Sequence, residues 1–581
     1  MSGICGYVSK NNIDINVLSD MSKAIINRGN NIQKYTEQNW GVANLSYDIK
    51  NIECRDNIYV VVDGNFKNTE SIIELYKKYG ESFIYQLKGY YAFALFDKKI
   101  NKLILGRDPL GTKPLYYYID GNTIVFASEL KSIIKYPKFI KNINNNALSL
   151  YFRYSYINEP DTIFENTFKL EHGHFLVFNS GNIINKTYWN CIDSYNSNSR
   201  KCIKDFNIAK KTVEDMLVHN LESMIMDNKK AGIYLSGGID SSLVTSLLCK
   251  KLKIKNIDTF SIGFYEKERN EAEKSKRIAK YLRTNHHEHY INEKDILETI
   301  KKVPLYYDEP FADASQIPTI ILNEFAKKNG VELAISGDGA DQIFCGSTIY
   351  DKLYKLQKMH KLINPLNLNI SKKMINNTKL KYIFRNTNIK CQSQVDAIFK
   401  EYYFKGLFIE KNKHIYEYDK SINNRSWQVK RMIIDIDTFL AVRLNTKTDR
   451  CASNNGINMQ SPFLSTELVD YSFKIPQKYK YYHSNKKFIL KEILFDYLPK
   501  DLLENGKKGF GIPIIKWINR YLYNDILRLS EQNFIKKQSI FDYDILKQLL
   551  NIIKDKNVDS NYGQILWNYY MFQLWYEKYM C

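Results

Sequence analysis

Apolar and polar positions along the chain change their period near residue 190. Before that point, short runs of β-branched and aromatic residues alternate with turn-forming residues, a pattern that predicts β-strands. The predicted strands cover residues 6–9, 40–46, 58–62, 91–96 and 102–105. Residues 69–87 have helical apolar spacing and are predicted to form a helix among these strands. We therefore expect a mostly β region over residues 1–190.

After that change, predicted helices dominate, and short apolar runs between them predict buried strands. The predicted strands cover residues 231–235, 258–264 and 331–335, and the predicted helices beside them cover residues 204–226, 241–252 and 271–282. Strands that alternate with helices predict a parallel α/β sheet whose site lies at the carboxyl ends of the strands. Residues 350–440 are predicted to add further helices.

Polar, turn-forming residues at 191–205 separate these two regions. We therefore predict an N-terminal region at residues 1–190, a linker at 191–205 and a C-terminal region at 206–581. The length of 581 residues supports more than one domain, because a single hydrophobic core rarely grows beyond about 250–300 residues.

Composition limits the compartment and the partners. Hydrophobic residues make up 44% of the chain, which is typical of a globular protein. No apolar run approaches the ~20 residues that a membrane span needs. Nine scattered cysteines without a CxxC pair, and no secretion signal, predict a reduced cytoplasmic protein without structural zinc. The net charge of +21 is spread along the chain, so we expect neither a nucleic-acid nor a membrane partner, while an acidic partner stays open.

The first predicted strand of the C-terminal region runs into Ser236-Gly237-Gly238 and then into a helix that Asp240 or Ser241 could cap. Paired glycines permit a tight turn, and the backbone N–H groups at a helix start bind anions. Asp240 adds a carboxylate suited to the Mg²⁺ that accompanies phosphates. The competing interpretation is an ordinary strand–helix turn rich in small residues.

Several motifs resemble known families. Residues 236–241 resemble the pyrophosphate loop of N-type ATP pyrophosphatases, which implies an adenine nucleotide α-hydrolase-like parallel α/β domain with helical additions. Residues 106–117 and 126–131 resemble the signature of class II glutamine amidotransferase domains, which implies an N-terminal-nucleophile hydrolase fold of two β-sheets between helices. Further motifs lie at residues 308–311, 336–341, 448–450, 462–464, 487–491 and 508–513. Together they resemble the asparagine synthetase B family, whose members adenylate a carboxylate with ATP and Mg²⁺ and let an amine displace AMP.

The resemblance implies roles for residues of the C-terminal region. It places pyrophosphate at Ser236, Gly237, Gly238, Asp240 and Ser241, ATP also at Tyr234, Ile262, Ser336 and Gly337, and Mg²⁺ at Asp240 and Asp341. Lys487 stands at the catalytic lysine, and Asp338 stands at an acidic residue that assists the intermediate. From the residues alone, Asp338 and Asp341 could instead cap a loop, and Lys487, next to Lys486, could be a solvated surface lysine.

The N-terminal region departs from the family at the glutamine site. The family exposes a nucleophilic cysteine by removing Met1, and Ser2 occupies that place. A hydroxyl is harder to activate than a thiol. The other altered positions are Asn44 for an arginine, Asp63, Gly64 and Asn65 for an Asn-Gly-Glu pocket, and Asn68 for an aspartate. We therefore expect no glutamine hydrolysis, the alternative being a processed N-terminus at Cys5.

These observations predict an AMP-forming ligase that joins a carboxylate to an amine with ATP and Mg²⁺. Because the ammonia source is altered, the favoured amine is carried by the substrate, as in the lasso-peptide macrolactam cyclases and β-lactam synthetases that this chain resembles. The expected partners are a small-molecule or peptide substrate, a precursor peptide and a protease, with a homodimer also open. Asparagine synthesis from free ammonia, or from glutamine if Cys5 is the mature N-terminus, is the first alternative. A non-catalytic scaffold is the second.

Overall fold

The computed structural model of the chain describes residues 1–47, 52–226, 230–265, 271–363, 407, 426–503, 512–554 and 559–581. Two sequence-based predictions fall largely outside these ranges. They are the helical additions at 350–440 and the motif at 508–513, of which Ile512 and Pro513 are described. Within the described ranges, no helix combines the length and the apolar character that crossing a membrane would require.

The N-terminal region contains two antiparallel sheets of six strands each. The strands are β1 (Ser2–Val8), β2 (Asn31–Thr36), β3 (Trp40–Ser46), β4 (Glu53–Arg55), β5 (Ile58–Phe66), β6 (Gly89–Asp97), β7 (Lys102–Arg107), β8 (Tyr116–Asp120), β9 (Thr123–Ala127), β10 (Thr167–Lys169), β11 (His174–Asn179) and β12 (Asn182–Thr187). The first sheet has the order β10-β8-β9-β1-β3-β2, and the second has the order β12-β11-β7-β6-β5-β4. Every segment predicted as a strand in this region overlaps one of them.

Side-chain alternation in β1 explains how the layers stack. Ile4 and Val8 point to one side of the strand, into a core between the two sheets. Cys5 points to the other side, into a core with the helix α1 (Asn16–Ala24). The helix α2 (Ile72–Tyr79) covers the outer face of the second sheet. The predicted arrangement of two sheets between helices is confirmed.

The helix predicted over residues 69–87 is divided in two. α2 begins after Ser71, which forms a capping box with Glu74. Gly80 has a φ of 55°, a conformation that favours glycine, and it ends α2. A 3₁₀-helix at Gly80–Gln86 follows. The continuous apolar period concealed this break.

The C-terminal region contains a five-stranded parallel sheet. Its strands are β13 (Ala231–Tyr234), β14 (Asp258–Phe264), β15 (Asn285–Ile291), β16 (Leu333–Ile335) and β17 (Asn458–Gln460), and β18 (Tyr481–Tyr482) with β19 (Asn485–Lys486) forms a separate hairpin. The order β15-β14-β13-β16-β17 confirms the predicted parallel sheet, with β13, β14 and β16 as the predicted strands. The two unpredicted strands are edge strands with mostly polar residues, so they carry no apolar signal.

Helices cover both faces of the parallel sheet. The remaining helices are α3 (Leu130–Ile133), α4 (Asn145–Tyr154), α5 (Cys191–Asn198), α6 (Phe206–Ile225), α7 (Ile239–Ser246), α8 (Ala272–Leu282), α9 (Glu293–Tyr306), α10 (Gln316–Lys328), α11 (Ala340–Ile343), α12 (Ile349–Ile363), α13 (Trp427–Ile434), α14 (Asn445–Ser453), α15 (Thr466–Lys474), α16 (Gln477–Lys480), α17 (Phe488–Leu494), α18 (Ile514–Trp517), α19 (Tyr523–Arg528), α20 (Gln532–Gln538), α21 (Tyr543–Ile552) and α22 (Ser560–Tyr579). α6, α7 and α8 pack on one face, and α9, α10 and α22 pack on the other. Three π-helical segments, at Leu247–Lys251, Asp435–Leu444 and Ile518–Leu522, extend helices that precede them.

The segment at 191–205, predicted as a turn-rich linker, contains the helix α5. The Asn190 side chain caps this helix by accepting a hydrogen bond from a backbone N–H in its first turn. Ser194 Oγ donates a hydrogen bond to Asp470 on α15. The polar residues that suggested turns thus serve as a helix cap and as a contact to the C-terminal region, so the first part of the predicted linker is helical rather than a turn.

Candidate active site

The loop after β13 turns directly into α7. This helix begins at Ile239 with Gly238 as its N-cap, so neither Asp240 nor Ser241 caps it as predicted. Both residues instead lie in its first turn. Their backbone N–H groups therefore belong to the positively polarised end of the helix, which is where anions bind.

Hydrogen bonds within the loop hold its backbone in place. Ser241 Oγ accepts a hydrogen bond from Ser236 N at 3.1 Å and lies 3.1 Å from Ser236 Oγ. Gly237 has a φ of 70°, which a residue without a Cβ adopts without strain. The predicted pyrophosphate loop is therefore a compact turn that closes on the first turn of α7.

The loop after β16 lies against this first loop. A Cβ on Gly337 would lie 2.6 Å from Asp240 Cβ and 3.0 Å from Ser241 N, so the contact requires glycine. Ser336 Oγ donates a hydrogen bond to Asp338 Oδ2 at 2.9 Å. The structure thus brings together the two loops that the motifs predicted as parts of one nucleotide site.

Lys487 lies between Asp240 and Asp341, the two predicted metal ligands. Its Nζ donates to Asp240 Oδ1 at 2.6 Å and lies 2.5 Å from Asp341 Oδ1. Lys487 has a φ of 54° and is 5% exposed, whereas Lys486 pairs with Asp351 at 3.0 Å. The interpretation of Lys487 as a solvated surface lysine was wrong, because the turn at this residue sends its side chain inward.

The residues fit a magnesium ion. Carboxylate oxygens of Asp240 and Asp341 converge on one point, and the Lys487 ammonium occupies that point. Mg²⁺ in nucleotide enzymes is bound by one or two carboxylates together with phosphate oxygens. These two carboxylates would therefore hold the ion beside the phosphate loop.

A cavity of 980 Å³ opens at the carboxyl ends of β13, β14 and β16. The predicted site residues in its wall are Tyr234, Ser236, Gly238, Asp240, Ser241, Ile262, Ser336, Gly337, Asp338, Asp341 and Lys487. Tyr234 donates its hydroxyl to Asn323 Oδ1 at 2.9 Å, and burial raises the pKa of this phenol. The volume is near the upper end of the range for small-molecule sites, about 300–1,000 Å³, so the cavity has room for a nucleotide and a second substrate.

Ser2 lies in a different environment, on β1 in the interior of the N-terminal region. Its Oγ accepts a hydrogen bond from Gly64 N at 2.9 Å and donates one to Asp63 Oδ1 at 3.3 Å. Asp63 Oδ2 also accepts from Arg28 Nη1 and from Ser128 Oγ, each at 2.9 Å. Burial raises the pKa of Asp63, although Arg28 opposes this shift. The protein's own polar groups thus surround the Ser2 hydroxyl.

The other altered glutamine positions are only partly near Ser2. Asn44 Nδ2 donates to Val62 O at 2.9 Å, while its buried Oδ1 has no hydrogen-bond partner in the described part of the chain. Asn65 is exposed on β5. Asn68 Nδ2 donates to Gln86 O at 2.8 Å and braces a surface loop. The structure therefore groups Ser2 with Asp63 and Gly64 but directs Asn65 and Asn68 elsewhere.

Cys5 lies in the middle of β1, where it pairs with Ala43 on one side and Ala127 on the other. Its Sγ is 3.6 Å from Ser22 Oγ, and burial raises the pKa of the thiol to about 11. A chain that started at Cys5 would lose Ser2, Gly3 and Ile4, the first three residues of β1 that pair with β3. The geometry weighs against Cys5 as the mature N-terminal nucleophile.

A set of buried charged residues joins the two regions near Ser2. These residues, called here the interface charge cluster, are Arg28, Asp63, Lys113, Glu129, Asp308, Asp449 and Arg450. Arg28 pairs with Asp449, and Arg450 Nη1 lies 2.8 Å from Glu129 Oε2. Although burial opposes ionisation, Arg28, Lys113 and Arg450 hold the pKa of Asp449 below its ordinary value. The motif at 448–450 contains part of this cluster, but its pairings cross the whole chain and have no local signal.

The cavity wall also contains cationic residues that the motifs did not single out. Arg443 lies at the end of the π-helical segment Asp435–Leu444, and Lys447 lies on α14. Their spacing of four residues on a helix could have revealed a shared face. No predicted helix covered these positions, so that signal was missed.

The sandwich of the N-terminal region and the parallel sheet with its glycine loop are the architecture on which the family comparisons agree, and those comparisons indicate an ATP-dependent ligase. The chain belongs to the asparagine synthetase B family. The asparagine synthase family matches residues 212–577, and the glutamine amidotransferase domain family matches residues 64–189.

Individual relatives carry related names. Over 300 residues, the chain is 37% identical to "Putative asparagine synthetase [glutamine-hydrolyzing] 2" of Methanocaldococcus jannaschii, covering 51% of this chain and 56% of that protein. It is 27% identical over 528 residues to "Asparagine synthetase [glutamine-hydrolyzing] 1" of Bacillus subtilis, covering 88% of this chain and 80% of that protein. Among solved structures, an allosteric regulatory enzyme of purine biosynthesis aligns with 50% of this chain and 80% of that one, at 11% identity and a TM-score of 0.25.

Proposed function

We propose that this ligase activates an acid as its adenylate and joins it to an amine that its own N-terminal region does not produce. The contrast between the two sites carries the proposal. Lys487, Asp240 and Asp341 border an open cavity. Ser2 hydrogen-bonds to Asp63, whose second oxygen is bound by Arg28.

The adenylating chemistry follows from the cavity wall. A carboxylate that attacks the α-phosphate of ATP builds up negative charge, which the site must neutralise. The backbone N–H groups at residues 236–241 would hold the departing pyrophosphate. Lys487 would turn its ammonium from the aspartates to the charge that develops on the adenylate. Asp240 and Asp341 would hold Mg²⁺, which neutralises phosphate charge when it is bound.

Asp338 would act in the second half of the reaction. Its carboxylate lines the cavity and is oriented by the Ser336 hydroxyl at 2.9 Å. An amine that attacks the adenylate must lose a proton, and a fixed carboxylate can accept a hydrogen bond from it. Asp338 would therefore orient the incoming amine against the acyl carbon.

The amine, in this proposal, is carried by the substrate itself. Macrolactam formation on a precursor peptide is one form of the reaction, and ring closure within a small molecule is another. The first form adds a precursor peptide and a protease as partners, and a homodimer is a further proposal. The 980 Å³ cavity supports a second substrate beside the nucleotide, since it lies at the upper end of ligand-site volumes.

Asparagine synthesis from free ammonia is the second candidate. The names of the two relatives favour it, since one is named as an asparagine synthetase and the other as a putative one. Both names also specify glutamine hydrolysis, which the surroundings of Ser2 disfavour in this chain.

Isotope-labelled nitrogen separates these candidates. The full-length protein is incubated with ATP, Mg²⁺ and aspartate, and either ¹⁵N-ammonium or amide-¹⁵N-glutamine is added. We expect no labelled asparagine from glutamine. Labelled asparagine from ammonium alone would establish the second candidate, and label from glutamine would contradict the proposal. Nucleotide chromatography gives the reaction class, because ADP in place of AMP would exclude adenylation.

A further inference from the structure

The first turn of α8 lies against the loop that follows β13 and brings a lysine into the cavity wall. A Cβ on Gly237 would lie 3.2 Å from Lys274 Cγ and 3.2 Å from Ser275 N, so the helix packs directly on the loop. Lys274 lines the cavity, as do the loop residues Ser236 and Gly238. The lysine stem therefore passes beside the loop that is predicted to hold pyrophosphate.

Lys274 differs from the other charged side chains of α8, because it alone is half-buried. The remaining four are exposed, and they are Glu273, Lys276, Arg277 and Lys280. Burial lowers the pKa of Lys274, although Glu271 opposes this shift. The Lys274 ammonium forms no hydrogen bond and no direct ion pair with any residue that the structure describes. It is a cation that has lost part of its hydration without gaining a partner.

The two lysines that approach this loop differ in how the protein neutralises them. The Lys487 ammonium contacts carboxylates of both Asp240 and Asp341. Lys274 has no such contact, and a partly desolvated charge without a counter-ion is unfavourable. An anion bound beside Gly237 would supply the missing counter-ion. Lys274 is thus placed to bind a ligand rather than to stabilise the fold.

We propose that Lys274 binds the β- and γ-phosphates of ATP and then the pyrophosphate that leaves. An ammonium is a compact charge with three donors, which suits phosphate oxygens. Lys487 would serve the α-phosphate, so the two lysines would divide the triphosphate between them. The inference rests on the proposed function, because it needs ATP in this cavity, and it adds a residue that none of the family motifs contains.

Binding without turnover tests this role. Calorimetry on the full-length protein with Mg²⁺, and with no acid substrate present, measures the affinities for ATP, pyrophosphate and AMP. Lys274→Met removes the charge and keeps most of the side-chain length. We expect ATP and pyrophosphate to bind this variant roughly tenfold more weakly, since hydrogen bonds between charged groups are strong, and AMP to bind unchanged.

Two further variants complete the experiment. Lys274→Arg should keep most of the wild-type affinity for ATP, because it retains a cation at the same position. The matched control is Lys280→Met, which removes an exposed lysine from the same helix outside the cavity wall. This control should bind all three ligands as the wild type does. Circular dichroism should show the same fold in all variants.

The outcomes separate this inference from the proposed function. A selective loss of ATP and pyrophosphate affinity in Lys274→Met, with ADP rather than AMP as the wild-type product, would support the inference and contradict adenylation. Unchanged ATP affinity in Lys274→Met would overturn the inference alone. Equal losses for ATP and AMP would indicate general damage to the cavity and would also overturn it. A wild-type protein that does not bind ATP would contradict both.

Discussion

Two cations in this protein each pair with carboxylates, but one is enclosed by protein and the other borders a cavity. Arg28 lies among Asp63, Glu129 and Asp449, and Lys487 lies between Asp240 and Asp341. Arg28 has no exposed side-chain surface, and its carboxylates come from both regions of the chain. Lys487 borders a cavity of 980 Å³.

The difference separates a charge that is enclosed by the protein from one that a ligand could reach. Every carboxylate around Arg28 is engaged within the protein, so removal of any partner leaves a buried charge uncompensated. Lys487 can exchange its carboxylates for a ligand, because the cavity admits one. Ion pairing alone therefore does not make a lysine a catalytic candidate, whereas pairing at the edge of a cavity does.

The largest effect is expected on catalysis. Lys487→Met and Asp341→Asn should each lower AMP formation by about 10²–10³-fold, because each removes charge at the site of the transition state. Circular dichroism should show an unchanged fold. The control is Lys98→Met, whose lysine pairs with Glu37 at 2.6 Å, away from the cavity. Full activity in Asp341→Asn would remove the basis for the magnesium assignment.

Substitution at the buried Arg28 should change the stability of the protein rather than its catalysis. Arg28→Met leaves three carboxylates without their shared partner, and breaking a buried pair costs about 3–5 kcal/mol of unfolding free energy. Urea denaturation of the full chain gives this value. Arg528→Met, which removes an exposed arginine from its surface pair with Glu577, should lower the unfolding free energy by less than about 1 kcal/mol. Equal losses of unfolding free energy in both variants would mean that the interface charge cluster stabilises the protein no more than an exposed ion pair does.

A third test uses the pH dependence of stability at the contact between the N-terminal and C-terminal regions. His172 lies between Glu159 of the N-terminal region and Asp437 of the C-terminal region. Burial lowers its pKa, but these two acids raise it to about 10. Its stabilising contribution is thus complete below the ordinary histidine value of about 6.5 and is lost as the pH rises towards 10. The stability difference between the wild type and His172→Gln should shrink over that window, and a constant difference would contradict this.

The smallest effect is expected at Ser2. Ser2→Ala should leave amide formation unchanged, because the proposed amine does not come from glutamine. Glutamate release from glutamine should be absent in both proteins. Mass spectrometry of the purified chain gives its first residue, and a chain beginning at Cys5 with glutamate release would restore a glutamine-dependent enzyme.

Sequence patterns predicted those parts of the fold that depend on local periodicity. The apolar runs of β13, β14 and β16 predicted the parallel sheet, and the loop residues at 236–241 and 336–341, predicted to share one site, line the same cavity. Edge strands such as β15 were missed because polar residues suffice there. The α5 helix was missed because helix-capping residues are also turn residues.

The long-range pairs could not be predicted in the same way. Arg28 and Asp449 are 421 positions apart, and neither lies in an unusual local pattern. Lys487 was ambiguous for a related reason, since two adjacent lysines look alike until the backbone turn between them is known. Such assignments need the tertiary arrangement, because the partner rather than the neighbour determines the role.

A single turn of the helix α14 contributes both to the cavity wall and to the contact between the two regions. Lys447 and Thr448 line the cavity, while Asp449 and Arg450 pair with residues of the N-terminal region. For a protein engineer, the chain is therefore a poor substrate for domain shuffling. A chimera that joins this C-terminal region to a foreign N-terminal region would have to import Arg28, Lys113 and Glu129 together, or it would bury unmatched charges next to the wall of the cavity.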